Sequence, residues 1–142
     1  MFFEKEITLA KGGSDATALF TDLKLSQGVI HYVGVHFPGG CRSLVKVRLI
    51  LNGAQAFPSV RDQSIAGNNE TVQFNEYYNL YKGANSLKVE AWNEDSLNDH
   101  TVRVRLGVLQ EWQLNPMKQL AEVLRPFRSF ADRFQPPKTG SA

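Results

Sequence analysis

Alternation of apolar and polar residues is the dominant pattern along the chain, as strands with one face on a core require. In GVIHYVGVHF (28–37), Val29, Val33, Val35 and Phe37 share one face, and His31 falls on it. In LVKVRLIL (44–51), Val45, Val47, Leu49 and Leu51 oppose Lys46 and Arg48. In SLKVEAWN (86–93), Leu87, Val89 and Ala91 oppose Lys88, Glu90 and Trp92. HTVRVRLGVL (100–109) sets Val102, Val104, Leu106 and Val108 against Arg103 and Arg105. Charges on the outward side mark antiparallel sheets that are wet on one face. Further strands are expected at 3–10, 17–24, 54–58 and 70–75, separated by the turn-forming stretches KGGSD, FPGGC, LNG, AGNNE and KGAN. About eight short strands in so small a chain predict an all-β fold, an antiparallel two-sheet sandwich of jelly-roll type.

After Gln113 the period changes from two to three and four. Asn115 caps a helix start and Pro116 occupies the first turn, where its missing N–H costs nothing. Met117, Leu120, Leu124, Phe127, Ala131 and Phe134 then form an apolar stripe, with Lys118, Glu122, Arg125, Arg128 and Asp132 off it. Pro126 interrupts the run, since an interior proline costs a helix about 3 kcal/mol. The expectation is therefore two helical pieces, 116–125 and 126–134, with a kink or break between them. The resulting organisation is a sandwich domain at 1–113, an amphipathic helical extension at 114–135 and a polar tail at 136–142, QPPKTGSA closing the chain.

With 142 residues and 42% apolar content the chain has enough material for one core. Cys41 is its single cysteine, so an intrachain disulfide is excluded. The stretch MFFEKEITLA has neither the basic region nor the apolar run of a secretory signal, so no signal peptide is expected. Residues 1–113 carry 11 Lys/Arg against 12 Asp/Glu, and residues 114–142 carry 5 against 2. A near-neutral body offers no broad surface for a polyanion, which argues against nucleic acid as a partner. Glu122, Asp132 and Pro126 likewise weigh against membrane binding by the extension.

The chemistry-bearing residues do not assemble into a catalytic or metal-binding pattern. His31 and His36 are five apart on one strand, which predicts opposite faces, and His100 lies in a distant loop. The run from Asn93 to Asp99 is rich in oxygen ligands but lacks the order of a calcium loop, and a solvated hairpin loop accounts for it. The Phe37–Cys41 segment, FPGGC, reads as a turn rather than a phosphate nest, since no Gly-Lys-Ser/Thr follows it. Nothing places a base beside Cys41, and Gly-x-Ser-x-Gly is absent. Arg103 and Arg105 would form a basic stripe if Lys46, Arg48 or Lys88 lay beside them; a solvated sheet face is the default. These readings predict a protein without catalytic residues, metal or cofactor.

Two groups are candidates for contact with a partner. Tyr77, Tyr78 and Trp92, with Tyr81 and Trp112 of the same aromatic set, include rings that the alternation puts on outer faces, where they would stack on a glycan or dock a protein. The alternative is that they cover the core. The second group is the extension: Met117, Leu120, Leu124, Phe127, Phe130 and Phe134 represent apolar area beyond what an eight-stranded sandwich requires. Burying about 400 Å² of it would contribute on the order of 10 kcal/mol before ordering costs.

The stretch from Val35 to Leu109, through FPGGC, SLVKVRLILNGAQAFPS, AGNNETVQF, SLKVEAWNEDS and HTVRVRLGVL, resembles small jelly-roll or β-sandwich accessory proteins of viral or prophage origin. The resemblance implies a virion structural role, capsid decoration or a tail component, located in the virion or in the cytoplasm before assembly. It carries no functional residues with it. The expected function is thus a non-enzymatic protein that assembles as a homo-oligomer, with a trimer as the candidate state, on a larger particle such as a bacteriophage capsid. The alternative is a carbohydrate-binding jelly-roll module.

Overall fold

The computed structural model describes residues 1–110, 113 and 116–132. Eight strands follow in chain order: β1 (Phe2–Leu9), β2 (Leu19–Leu25), β3 (Val29–Phe37), β4 (Val45–Leu51), β5 (Ala54–Phe57), β6 (Glu70–Asn79), β7 (Asn85–Asn93) and β8 (His100–Leu109). They pair antiparallel into two four-stranded sheets, β1-β8-β3-β6 and β2-β7-β4-β5. Consecutive strands mostly alternate between sheets, which is the order of a jelly roll. The protein is therefore an all-β, two-sheet sandwich, as the alternation predicts. β6 runs four residues past the expected Asn75, carrying Tyr77 and Tyr78 within it.

One buried cluster joins the inward faces of both sheets. β4 and β7 supply Val45, Val47, Leu49, Leu87 and Val89, and β3 and β8 supply Val33, Val35, Phe37, Val104 and Leu106. Each such side chain contributes roughly 1.5–3 kcal/mol over its exposed state. Edge strands close the sides: Phe57 of β5 meets Phe74 of β6 at a ring-centroid separation of 5.6 Å and Tyr78 at 5.7 Å.

One strand departs from simple alternation. Ile30 pairs with Val108 while Tyr32 pairs with Gly107, so His31 is an extra residue on β3 relative to β8. The bulge makes Ile30 the member of the core cluster at this point and turns His31 outward. The expected placement of His31 on the core face is thereby corrected. The expectation that His31 and His36 oppose each other fails with it, because an inserted residue converts an odd spacing into a shared face.

The helix α1 (Pro116–Asp132) belongs to a second unit, residues 110–142, distinct from the unit of residues 1–109. It is continuous, with Pro126 in its interior, so of the kink or break expected after residue 125 the break does not occur. Proline removes one N–H···O=C bond of the ladder, and bonds on either side keep the helix continuous. Phe134 and Trp112 lie outside the described residues.

Because residues 1–109 form their own buried cluster, a chain ending at Gln110 is expected to retain β-sheet circular dichroism and a single cooperative thermal transition. Loss of that transition would place the second unit inside the core.

Candidate functional site

The outer face of the β1-β8-β3-β6 sheet is built in rows. Pairing aligns Glu4 with Arg105 and Arg105 with Gly34, which in turn faces Gln73. The next row runs Glu6, Arg103, His36, Thr71, and the row on the other side runs Phe2, Gly107, Tyr32, Asn75. Arg103 Nη2 lies 2.7 Å from Glu6 Oε1, and Arg105 Nε lies 3.3 Å from Glu4 Oε1. The Tyr32 hydroxyl donates to Gln73 Oε1 at 2.9 Å, and His36 Nδ1 is 2.9 Å from Thr71 Oγ1. Tyr32 lies along its own strand over Gly34: a Cβ there would stand 2.6 Å from the phenol oxygen and 3.1 Å from Cζ. His31 covers Gly107 so closely that a Cβ would collide with the imidazole. His31 Nδ1 is buried there without a hydrogen-bond partner.

Of the aromatic candidates, Tyr77 lies on this same strand edge and is 53% exposed. Tyr78 pairs with Ile30 and presents an edge to Phe57, so it works partly as a cover for the sandwich side. Trp92 does not present a stacking surface, a correction to its expected outward display. It sits on the outward side of β7 but is only 5% exposed. Arg48 lies over its ring at 4.8 Å, and its indole N–H donates to Glu94 Oε1 at 3.0 Å. Arg48 is itself held by the Asp62 and Gln63 carbonyls and by Glu90. Alternation gives the direction of Trp92 correctly; what it misses is the covering arginine from the neighbouring strand. The two sheets also split the conjectured basic stripe, since Arg103 and Arg105 lie on one outer face and Lys46, Arg48 and Lys88 on the other.

The acidic loop between β7 and β8 is a closed hydrogen-bond knot. Asn93 Oδ1 accepts the Asp95 N–H, Asp95 Oδ1 accepts the Leu97 N–H, and Asp99 Oδ1 accepts the Lys11 N–H, each at 2.9 Å. His100 Nε2 donates to Asp95 Oδ2 at 2.9 Å in a buried contact. The oxygens are thus spent on the chain itself, and among the described residues no three His, Cys, Asp or Glu side chains are grouped for a metal ion. The Leu97 amide, then the His100 bond, outweigh burial and draw the Asp95 carboxyl down to a pKa of about 2. Cys41 is buried in the core. Burial first, and the Asp95 charge second, push its thiol up, which favours the unreactive protonated form.

On α1, Met117, Leu120, Val123, Leu124 and Phe127 are all exposed, Phe127 at 64%. The helix backbone includes Phe130.

No protein-family model matches the chain, and no curated protein is similar to it. Among solved structures it is similar to a family 35 carbohydrate binding module from an environmental isolate, at 15% identity and a TM-score of 0.38. The match covers 66% of this chain and 71% of that one. A likeness of that degree transfers neither ligand nor site.

The depressed Asp95 pKa fixes the sign of an acid response. The folded state favours the ionised carboxylate relative to the unfolded chain, so the contribution is complete above about pH 4 and is lost as pH falls toward 2. The thermal midpoint is expected to fall across that window. Asp95→Asn should lower the midpoint at neutral pH and flatten the acid limb; an unchanged acid limb would assign the response to other carboxylates.

Proposed function

We propose that the chain is a non-enzymatic assembly protein whose sandwich is the displayed body and whose C-terminal helix joins copies of the chain to one another. The observation that carries this reading is the spacing on α1. The exposed residues Met117, Leu120, Leu124 and Phe127 recur at intervals of three, four and three, the 3.5-residue repeat of a coiled-coil seam. Ala131 and Phe134 continue the same rhythm in the sequence. Val123, also exposed, widens the stripe beside Leu124. A broader stripe is covered better by two neighbouring helices than by one, which favours a trimer over a dimer.

A second copy is the occupant that best fits the stripe, because its heptad spacing is self-complementary in a symmetric bundle. About two and a half heptads form a weak seam alone. Mounting on a larger particle adds multivalency, which multiplies weak contacts into firm attachment. The finer assignment, a capsid-decoration or tail component of a bacteriophage virion, is supported by the resemblance of Val35–Leu109 to accessory proteins of viral or prophage origin.

Light scattering coupled to size exclusion on the full chain tests the reading. The wild type is expected to elute with a trimer mass at tens of micromolar. The double substitution Leu120→Ser and Phe127→Ser should return a monomer while the thermal transition of the sandwich stays in place. A monomeric wild type would overturn self-assembly through α1.

A further inference from the structure

The outer face of the β1-β8-β3-β6 sheet has features that neither the core nor the helix requires. Glycine in a strand interior weakens the strand and marks close approach of another group. Here Gly34 and Gly107 stand directly beneath Tyr32 and His31, and their missing side chains are what let the two rings lie along the sheet. The bulge adds to the arrangement by placing both rings, though consecutive in sequence, on the same side of β3. Phe2, 62% exposed, stands in register with Gly107 on the β1 side, and Tyr77, 53% exposed, lies further along β6.

Beside this aromatic row lie planar groups that both donate and accept: the Arg105–Glu4 pair, the Arg103–Glu6 pair and Gln73. A shallow depression of about 530 Å³ lies further along the same face, bounded by Glu6, His36, Pro38, Thr71, Arg103 and Arg105, and it meets the rows just described at the two arginines. Each guanidinium is matched by a carboxylate, so the rows are electrically balanced. Balance bears on the choice of ligand. A nucleic acid or acidic polymer needs uncompensated cations, and a protein-docking core is depleted of charge. A neutral pyranose offers an apolar C–H face to a flat ring and a rim of hydroxyls to in-plane donors and acceptors, which is the pairing this face provides.

We propose that this face binds a neutral polysaccharide, a sugar ring stacking on Tyr32 while its hydroxyls bond to Gln73 and to the Arg105–Glu4 pair. The open sheet suits an extended polymer lying across the strands rather than a single enclosed sugar. All the residues of the proposed site lie within residues 1–109, so binding and assembly are separately testable in one chain.

Affinity electrophoresis of the full chain in gels containing soluble glucan, mannan, xylan or galactomannan tests the proposal, with alginate and heparin as acidic counterparts. Retardation is expected with at least one neutral polymer and with neither acidic one. Tyr32→Ala should weaken it about tenfold or more. Tyr32→Phe, which keeps the ring and loses the bond to Gln73, should weaken it less, and Lys88→Ala on the opposite face should leave it unchanged. Near-ultraviolet circular dichroism reports whether each variant is folded; should Tyr32→Ala unfold, the exposed Gln73→Ala takes its place and is expected to reduce retardation. The same gels run with the Leu120→Ser, Phe127→Ser chain separate this site from assembly, since that chain should still be retarded. Absence of retardation by every neutral polymer, preference for the acidic ones, or binding untouched by both Tyr32→Ala and Gln73→Ala would overturn the proposal.

Discussion

The fold depends on closure of a single apolar layer between two sheets. Val33, Val35 and Phe37 on one side meet Val47, Leu49 and Val89 on the other, all fully buried. Once that layer is closed within residues 1–109, the outward faces are released from packing duty. They can carry ion pairs, glycine-cleared rings and an arginine-capped tryptophan because nothing in the interior rests on them.

Polar groups buried at one end of the sandwich obey the complementary rule. Asn93, Asp95 and His100 are withdrawn from water, yet each bonds to neighbours in the loop region. A half-satisfied network of this kind would cost more than an apolar plug. The loop therefore behaves as a tie across the β7–β8 connection and the start of the β1–β2 connection, where Gly12 and Gly13 donate to the Asp95 and Asn93 carbonyls at 2.7 Å.

The strands were legible because period two is a property of sequence alone: Val102, Val104, Leu106 and Val108 point inward wherever the partner strands lie. Less was legible of the surfaces. The His31 bulge is a relation between β3 and β8, and no local pattern announces it. Trp92 is withdrawn by Arg48, a residue 44 positions earlier. Tyr77 could be singled out as an exposed ring, whereas Tyr32, Phe2 and Gln73 gain meaning only from register. A usable signal was nevertheless present: Gly34 and Gly107 interrupt otherwise strong strands, and an isolated strand glycine marks a close approach. On α1 the apolar stripe could be read directly, while Pro126 overstated the break because propensity weighs one lost bond without the ladder around it.

The two ends of the sandwich chain meet. The Val108 N–H donates to the Met1 carbonyl at 2.7 Å, so the first residue and the last strand lie side by side at one pole. Topologically the body is close to a ring. A short linker from residue 109 to residue 1 would close it, and the chain could then be opened at a distant connection while the strands keep their neighbours in the two sheets. The order in which the strands are written along the gene is thus less binding on this architecture than the order in which they sit in the sheets.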